Sequence, residues 1–112
     1  MLKHKVAIYI PSTVAANKPA DPALIRKMLE MAKNKFASRF GGFTVTNVLG
    51  GYMSNAHGLI EESIAIVSSY CDEDGLTHVQ AIREFAETVA IAMSQECVSV
   101  EVDGTLELVS PE

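Results

Sequence analysis

Long apolar runs are missing from this 112-residue chain. None approaches the ~18 residues that a spanning helix requires, which excludes a membrane helix. No secretory signal is expected, because Met1 to Lys5 is basic but the apolar stretch behind it stops at Pro11. Cysteine is scarce. Cys71 and Cys97 are too few for a disulfide framework and suit a reducing compartment, so a cytoplasmic location is expected. A positive surplus is also absent: 9 Lys and Arg stand against 14 Asp and Glu, a net charge of −5. Nucleic acid, whose phosphates demand a basic footprint, is therefore not an expected partner, and neither is a membrane.

What bases there are lie early. Eight of the nine stand at or before Arg39 against two acids, a net +6; from Phe40 onward Arg83 alone opposes twelve acids, a net −11. Apolar residues make up 48% of the chain, and the seven glycines raise that to about 54%, above the ~45–50% of an ordinary soluble domain. That composition excludes disorder. The length predicts one domain over 1–112, with more apolar surface than one small core can hide.

Residues 5–10 alternate around Val6, Ile8 and Ile10, a first strand that Pro11 ends by removing a ladder donor. A polar loop runs from Pro11 to Ala20. Asp21 then reads as a helix N-cap with Pro22 in the first turn, and Ile25, Met28, Leu29, Ala32, Phe36 and Phe40 form one apolar stripe. Gly41 suits the left-handed closing position. Phe43 to Met53 reads as a second strand, bulged at Gly50 and Gly51, and Leu59 to Cys71 as a third, joined in a long hairpin. Ile64 and Ile66 lie on one face of that third strand, Ala65 and Val67 on the other. Asp72, Glu73 and Asp74 open a second helix with the stripe Val79, Ile82, Phe85, Ala86, Val89 and Met93. Val98 to Val102 and Thr105 to Val109 close the chain as a hairpin, with Asp103-Gly104 suited to a type I′ turn.

This order predicts an α+β protein: a ferredoxin-like split βαβ sandwich, βαββαβ, with an extra C-terminal hairpin strand and both helices on one face. Ile8, Ile66, Phe36, Phe85 and Val89 are the expected core. The other face, with Ala7 and Tyr9 near its centre, has no helix to cover it, and a homo-oligomer through that face is expected.

Chemistry-bearing residues are sparse. Glu61 and Glu62 are adjacent on a strand and point to opposite faces, so they read as a solvated hairpin flank rather than an acid/base pair. His4, His57 and His78 lack ligand spacing with each other and with the cysteines, so no metal and no cofactor is expected. Cys71 and Cys97 are placed about two strand spacings apart, roughly 9.5 Å, too far for a disulfide. The glycine pairs Gly41-Gly42 and Gly50-Gly51 precede no helix and are not phosphate loops. No catalytic set emerges. The remaining constellation is positional: the first and third strands are expected to run parallel and end together, which brings Tyr9, Ser12, Thr13, Ser69, Tyr70 and Cys71 to one rim as a small-ligand site.

The run Arg39-Phe40-Gly41-Gly42-Phe43-Thr44-Val45, then Gly51-Tyr52, then Gly58-Leu59-Ile60-Glu61-Glu62-Ser63 resembles a family of short uncharacterised ferredoxin-like proteins. Lys5 to Thr13 together with Ser69-Tyr70-Cys71 is similar to hypothetical proteins of bacterial plasmids and phages. The resemblance implies a fold and a mobile-element origin and supplies no catalytic residues. The expected function is a non-enzymatic, homo-oligomeric binding module with a small-molecule or protein partner. Two alternatives stand beside it: a mobile-element or phage protein that inhibits or sequesters a host defence protein or signalling nucleotide, and a small dimeric ferredoxin-like barrel enzyme acting on a compact metabolite.

Overall fold

The computed structural model describes residues 1–15 and 18–111. Five strands form one antiparallel sheet: β1 (His4–Ile10), β4 (Thr44–Ser54), β5 (Gly58–Cys71), β6 (Val98–Val102) and β7 (Thr105–Val109), in the order β4-β5-β1-β6-β7. The expected polar loop after β1 folds into a small antiparallel pair of its own, β2 (Thr13–Val14) with β3 (Lys18–Pro19). Two helices, α1 (Pro22–Phe40) and α2 (Val79–Ala92), complete the fold. Among the described residues no helix is long and apolar enough to cross a membrane.

Local chemistry sets the element ends. The Asp21 side chain accepts from the Ala23 N–H at 2.9 Å, Pro22 occupies the first turn, and Gly41 closes α1 at φ 87°. A short 3₁₀ turn over Asp74–His78 precedes α2, so the acidic run Asp72 to Asp74 lies before the helix rather than in its first turn. Gly75 belongs there: a β-carbon on it would come within 2.4 Å of Cys71 Cβ. Asp103 and Gly104 both take positive φ, 51° and 82°, as the tight hairpin between β6 and β7 demands. The β4–β5 register runs unbroken through Gly50↔Glu62 and Gly51↔Glu61, so the glycine pair makes no bulge. Gly50 is instead a matter of space, since a β-carbon there would meet Ile64 Cδ1 at 2.4 Å.

Both helices bury their stripes against the same sheet face. Val6, Ile8 and Ile10 of β1, Val67 of β5 and Val98 and Val100 of β6 share one core with Met28, Ala32 and Phe36 of α1 and with Ile82, Phe85, Ala86 and Val89 of α2. The helices thus cover the Ala65/Val67 row of β5. Ile66 pairs with Tyr9 on the opposite face and is only half-buried, which removes it from the expected core. Ala7, also on the helix-free face, is already 1% exposed within one chain. Arg83 ties α2 to β7 through paired bonds from Nε and Nη2 to Glu107 at 2.7 and 2.8 Å.

One further clamp holds the start of β1. Asp103 accepts from the Lys5 N–H at 2.8 Å and lies 2.7 Å from His4 Nδ1. These two bonds, the His4 contact first, pull the Asp103 carboxyl below its ordinary range. A depressed carboxyl stabilises the fold fully above the unfolded pKa of about 4 and loses that contribution as pH falls through the folded value. Wild-type stability should therefore decline in acid more steeply than that of Asp103→Asn, as read by denaturant midpoints between pH 6 and 2.5. In the core, Phe85 is 2% exposed, and Phe85→Ala should cost ~3–5 kcal/mol by cavity formation; urea unfolding at neutral pH measures it.

Candidate active site

The antiparallel pairing of β1 with β5 takes the expected rim apart. His4 pairs with Cys71 and Ile10 with Ala65, so Ser69, Tyr70 and Cys71 lie beside the beginning of β1, whereas Tyr9, Ser12 and Thr13 lie at its end. The physical reason is the hairpin: β4 runs parallel to β1 after the α1 crossover, and the turn into β5 reverses the chain. The same reversal separates Cys71 from Cys97, which adjoins β6 near the other end of the sheet; both are free thiols.

Two concavities result, one at each end. At the β1 start, Tyr70 and Cys71 line a cavity of about 270 Å³ with Arg39, Phe40 and His78. Cys71 is a poor nucleophile there: burial first, then the charges of Asp72 and Asp103, push its thiol upward. His78 is held by the α1 end, with Arg39 Nη1 3.2 Å from its Nδ1 and the Phe40 ring edge-on at 6.2 Å. His57 lies in the β4–β5 turn, and no group of three His, Cys, Asp or Glu among the described residues is arranged to hold a metal.

The larger concavity, about 790 Å³, lies at the other end on the helix-free face. Its floor is the sheet, with Tyr9, Ile64, Ser99, Leu106 and Leu108. The long β4–β5 hairpin forms one wall through Gly50 to Ala56, and the segment after α2, Ser94 to Cys97, forms another. Glu62 projects into this space from β5, and Glu96 joins it from the wall. No Lys, Arg or His lines the cleft among the described residues.

Glu62 is the residue that the sequence reading passed over. It is half-buried rather than a solvated flank, while Glu61 is exposed on the opposite face. Its Oε2 accepts from the Thr13 hydroxyl at 2.7 Å and from the Ser12 N–H at 3.2 Å. Two of the expected rim residues thus do meet at a site, as holders of a carboxylate. Tyr9, a third, lines the floor and donates its hydroxyl to Glu101 at 2.8 Å, a bond that, with burial, raises its pKa. A signal for Glu62 was present in the strand itself: Ile60, Glu62, Ile64 and Ile66 share one row, and an acid interrupting a row of isoleucines has a reason to be there.

No protein-family model and no curated protein matches the chain. Solved structures do. A phage SAM lyase in its apo state superposes with a TM-score of 0.70 at 16% identity, over 99% of this chain and 91% of that one. A phage SAM lyase in complex with S-methyl-5'-thioadenosine gives 0.65 at 15%, over 96% and 88%. The fold is shared with phage SAM lyase. The phage side of the sequence resemblance agrees with these neighbours, while the short uncharacterised family finds no model to match. At this identity the likeness is one of fold, and the fold is one that an enzyme uses. That overturns the expectation of a non-enzymatic binding module. It fits the sequestering protein no better, and a cleft lined by carboxylates without a cation is the wrong electrostatics for a phosphorylated nucleotide.

The burial of Cys71 can be tested in solution. Cys71 is 5% exposed and its thiol is pushed upward, so Ellman's reagent at pH 7.5 should modify it at a measurable rate only after denaturation. Rapid reaction of native Cys71, located by peptide mapping, would restore it as a candidate nucleophile.

Proposed function

We propose that this protein is a SAM-cleaving lyase whose site is the Glu62 cleft. We also read its sheet as a ferredoxin-like split βαβ arrangement extended by one C-terminal strand. The observation that carries the functional reading is the charge and polarity of the cleft: an oriented carboxylate, a second acid, and apolar or aromatic walls with no cation. SAM, with a sulfonium, an ammonium and one carboxylate, has a net charge of +1. Such a cation suits this lining, and the aromatic faces of Tyr9 and Tyr52 suit both an adenine ring and a sulfonium.

A lyase reaction that leaves S-methyl-5'-thioadenosine breaks the bond between sulfur and the methionine γ-carbon: the electron pair goes to sulfur, and the α-carboxylate of the same substrate closes onto that carbon to leave a lactone, so no external base or nucleophile is consumed. The positive charge of the sulfonium fades as that bond stretches. A floor of Ile64, Leu106 and Leu108 helps such a step, because removing water from a localised cation raises the ground state more than a transition state whose charge is vanishing. Glu62 contributes differently. Placed against the sulfonium it would favour the substrate over the transition state; placed against the ammonium, whose charge does not change, it binds and orients equally in both. Its role is therefore to hold the amino-acid end of SAM and to aim the molecule along the cleft.

Incubation of the protein with SAM should release S-methyl-5'-thioadenosine, detected by chromatography, well above the uncatalysed background. Glu62→Gln should lower kcat/KM by about 10- to 100-fold, the equivalent of one charge-assisted contact, and should do so mainly through KM. Product at the background rate with well-folded wild type would overturn the reading.

A further inference from the structure

Thr13 is the buried polar residue of this fold among those described, 9% exposed on the short strand β2. Its hydroxyl has one proton, and that proton goes to Glu62 Oε2 at 2.7 Å. The neighbouring Ser12 N–H donates to the same oxygen at 3.2 Å. Glu62 Oε1 accepts nothing from the described residues and is left for whatever enters the cleft. A carboxylate gripped on one oxygen is fixed in rotation as well as in place.

Thr13 is itself held by the segment that follows α2. The Gln95 side-chain amide donates to the Thr13 carbonyl at 2.6 Å, and the Gln95 N–H returns to Ala90 at 2.9 Å, closing the end of α2. The Ala20 N–H donates to the Ser12 carbonyl at 2.9 Å and shuts the loop at its base. A chain of contacts therefore runs from the C-terminal end of α2 through Gln95 and Thr13 to a carboxylate on β5. The geometry points to Thr13 as a positioning residue for Glu62, with Gln95 setting Thr13. This rests on the reading of the cleft as a SAM-cleaving site, since it is there that the orientation of Glu62 matters to a reaction.

The test compares wild type, Thr13→Val, which keeps the shape and loses the donor, and Thr13→Ser, which restores it. Two readouts are used: kcat/KM for SAM cleavage, and the position of the Glu62 carboxylate in crystal structures of the variants, which needs no activity. Thr13→Val should lose about 10- to 100-fold in kcat/KM, and its Glu62 carboxylate should move by about 1 Å or more, because the donor that holds Oε2 is gone. Thr13→Ser should return both close to wild type. Tyr52 and Glu96 line the same cleft and Glu61 leaves β5 on the opposite face; none is altered, so a displaced Glu62 carboxylate reports the Thr13 contact. If Thr13→Val fails to fold, Gln95→Leu should show the same two changes in smaller measure.

Cleavage by wild type, with full kcat/KM and an unmoved Glu62 carboxylate in Thr13→Val, overturns the positioning role. No cleavage by wild type overturns the SAM-lyase reading and the catalytic part of this inference with it. The crystal structures then decide the remaining claim that Thr13 fixes the Glu62 carboxylate: a displacement rescued by serine upholds it, and its absence overturns it.

Discussion

The pairing of β1 on both sides, with β5 over seven residues and with β6 over three, is the constraint on which the rest depends. A strand held from both edges has no freedom of register, and a slip of one residue would exchange its two faces. One face carries Val6, Ile8 and Ile10 into the helix-covered core, where each is at most 1% exposed. The other carries Tyr9 to the floor of the cleft, and the residues just beyond the strand, Ser12 and Thr13, reach Glu62. Core and site are thus two consequences of one register.

The two ends of the sheet have opposite chemistry although the same strands build both. At the β1 start a thiol sits among acids and beside Arg39 and His78, in a small cavity. At the β1 end an acid sits among apolar side chains in a larger cleft, and the strong positive charge of the early sequence is elsewhere. Lys33 pairs with Glu30 on α1, Lys35 lies over the Phe85 ring at 5.6 Å, and Lys5 lies over Tyr70 at 6.0 Å. The basic segment is spent on the helix surface and on the far end of the sheet. It therefore does not neutralise the carboxylates that line the cleft.

Most of the architecture was legible because its signals are local. Asp21 and Gly41 bracket α1 through their own side-chain and backbone chemistry, and the α2 stripe from Val79 to Met93 repeats at helical spacing and is buried throughout. What was misread needed one non-local fact, the direction of β5 against β1. Taking them as parallel brought Tyr70 and Cys71 to Thr13, whereas Ile66 was taken for a core residue because β5 is apolar on both faces and alternation does not say which row meets the helices. Glu62 was missed for a related reason: alternation separates it from Glu61 but does not say which face becomes a cleft. That depends on the reach of the β4–β5 hairpin and on where the end of α2 delivers Gln95, and neither is written in the neighbourhood of Glu62.

That hairpin has a cost for the molecule in solution. β4 forms one edge of the sheet for eleven residues, and from Thr44 to Ser54 it contains no charged side chain. Leu49 and Met53 along it are 70% and 72% exposed, and Leu59 on the returning strand is 63% exposed. Sheets usually protect an edge with lysine, proline or a bulge, and β4 has none of these. At the opposite edge, β7 is pinned to α2 by the Arg83–Glu107 pair. The side of the protein that frames the cleft is therefore also the side most able to add a foreign strand, and concentrated samples will meet their solubility limit there first.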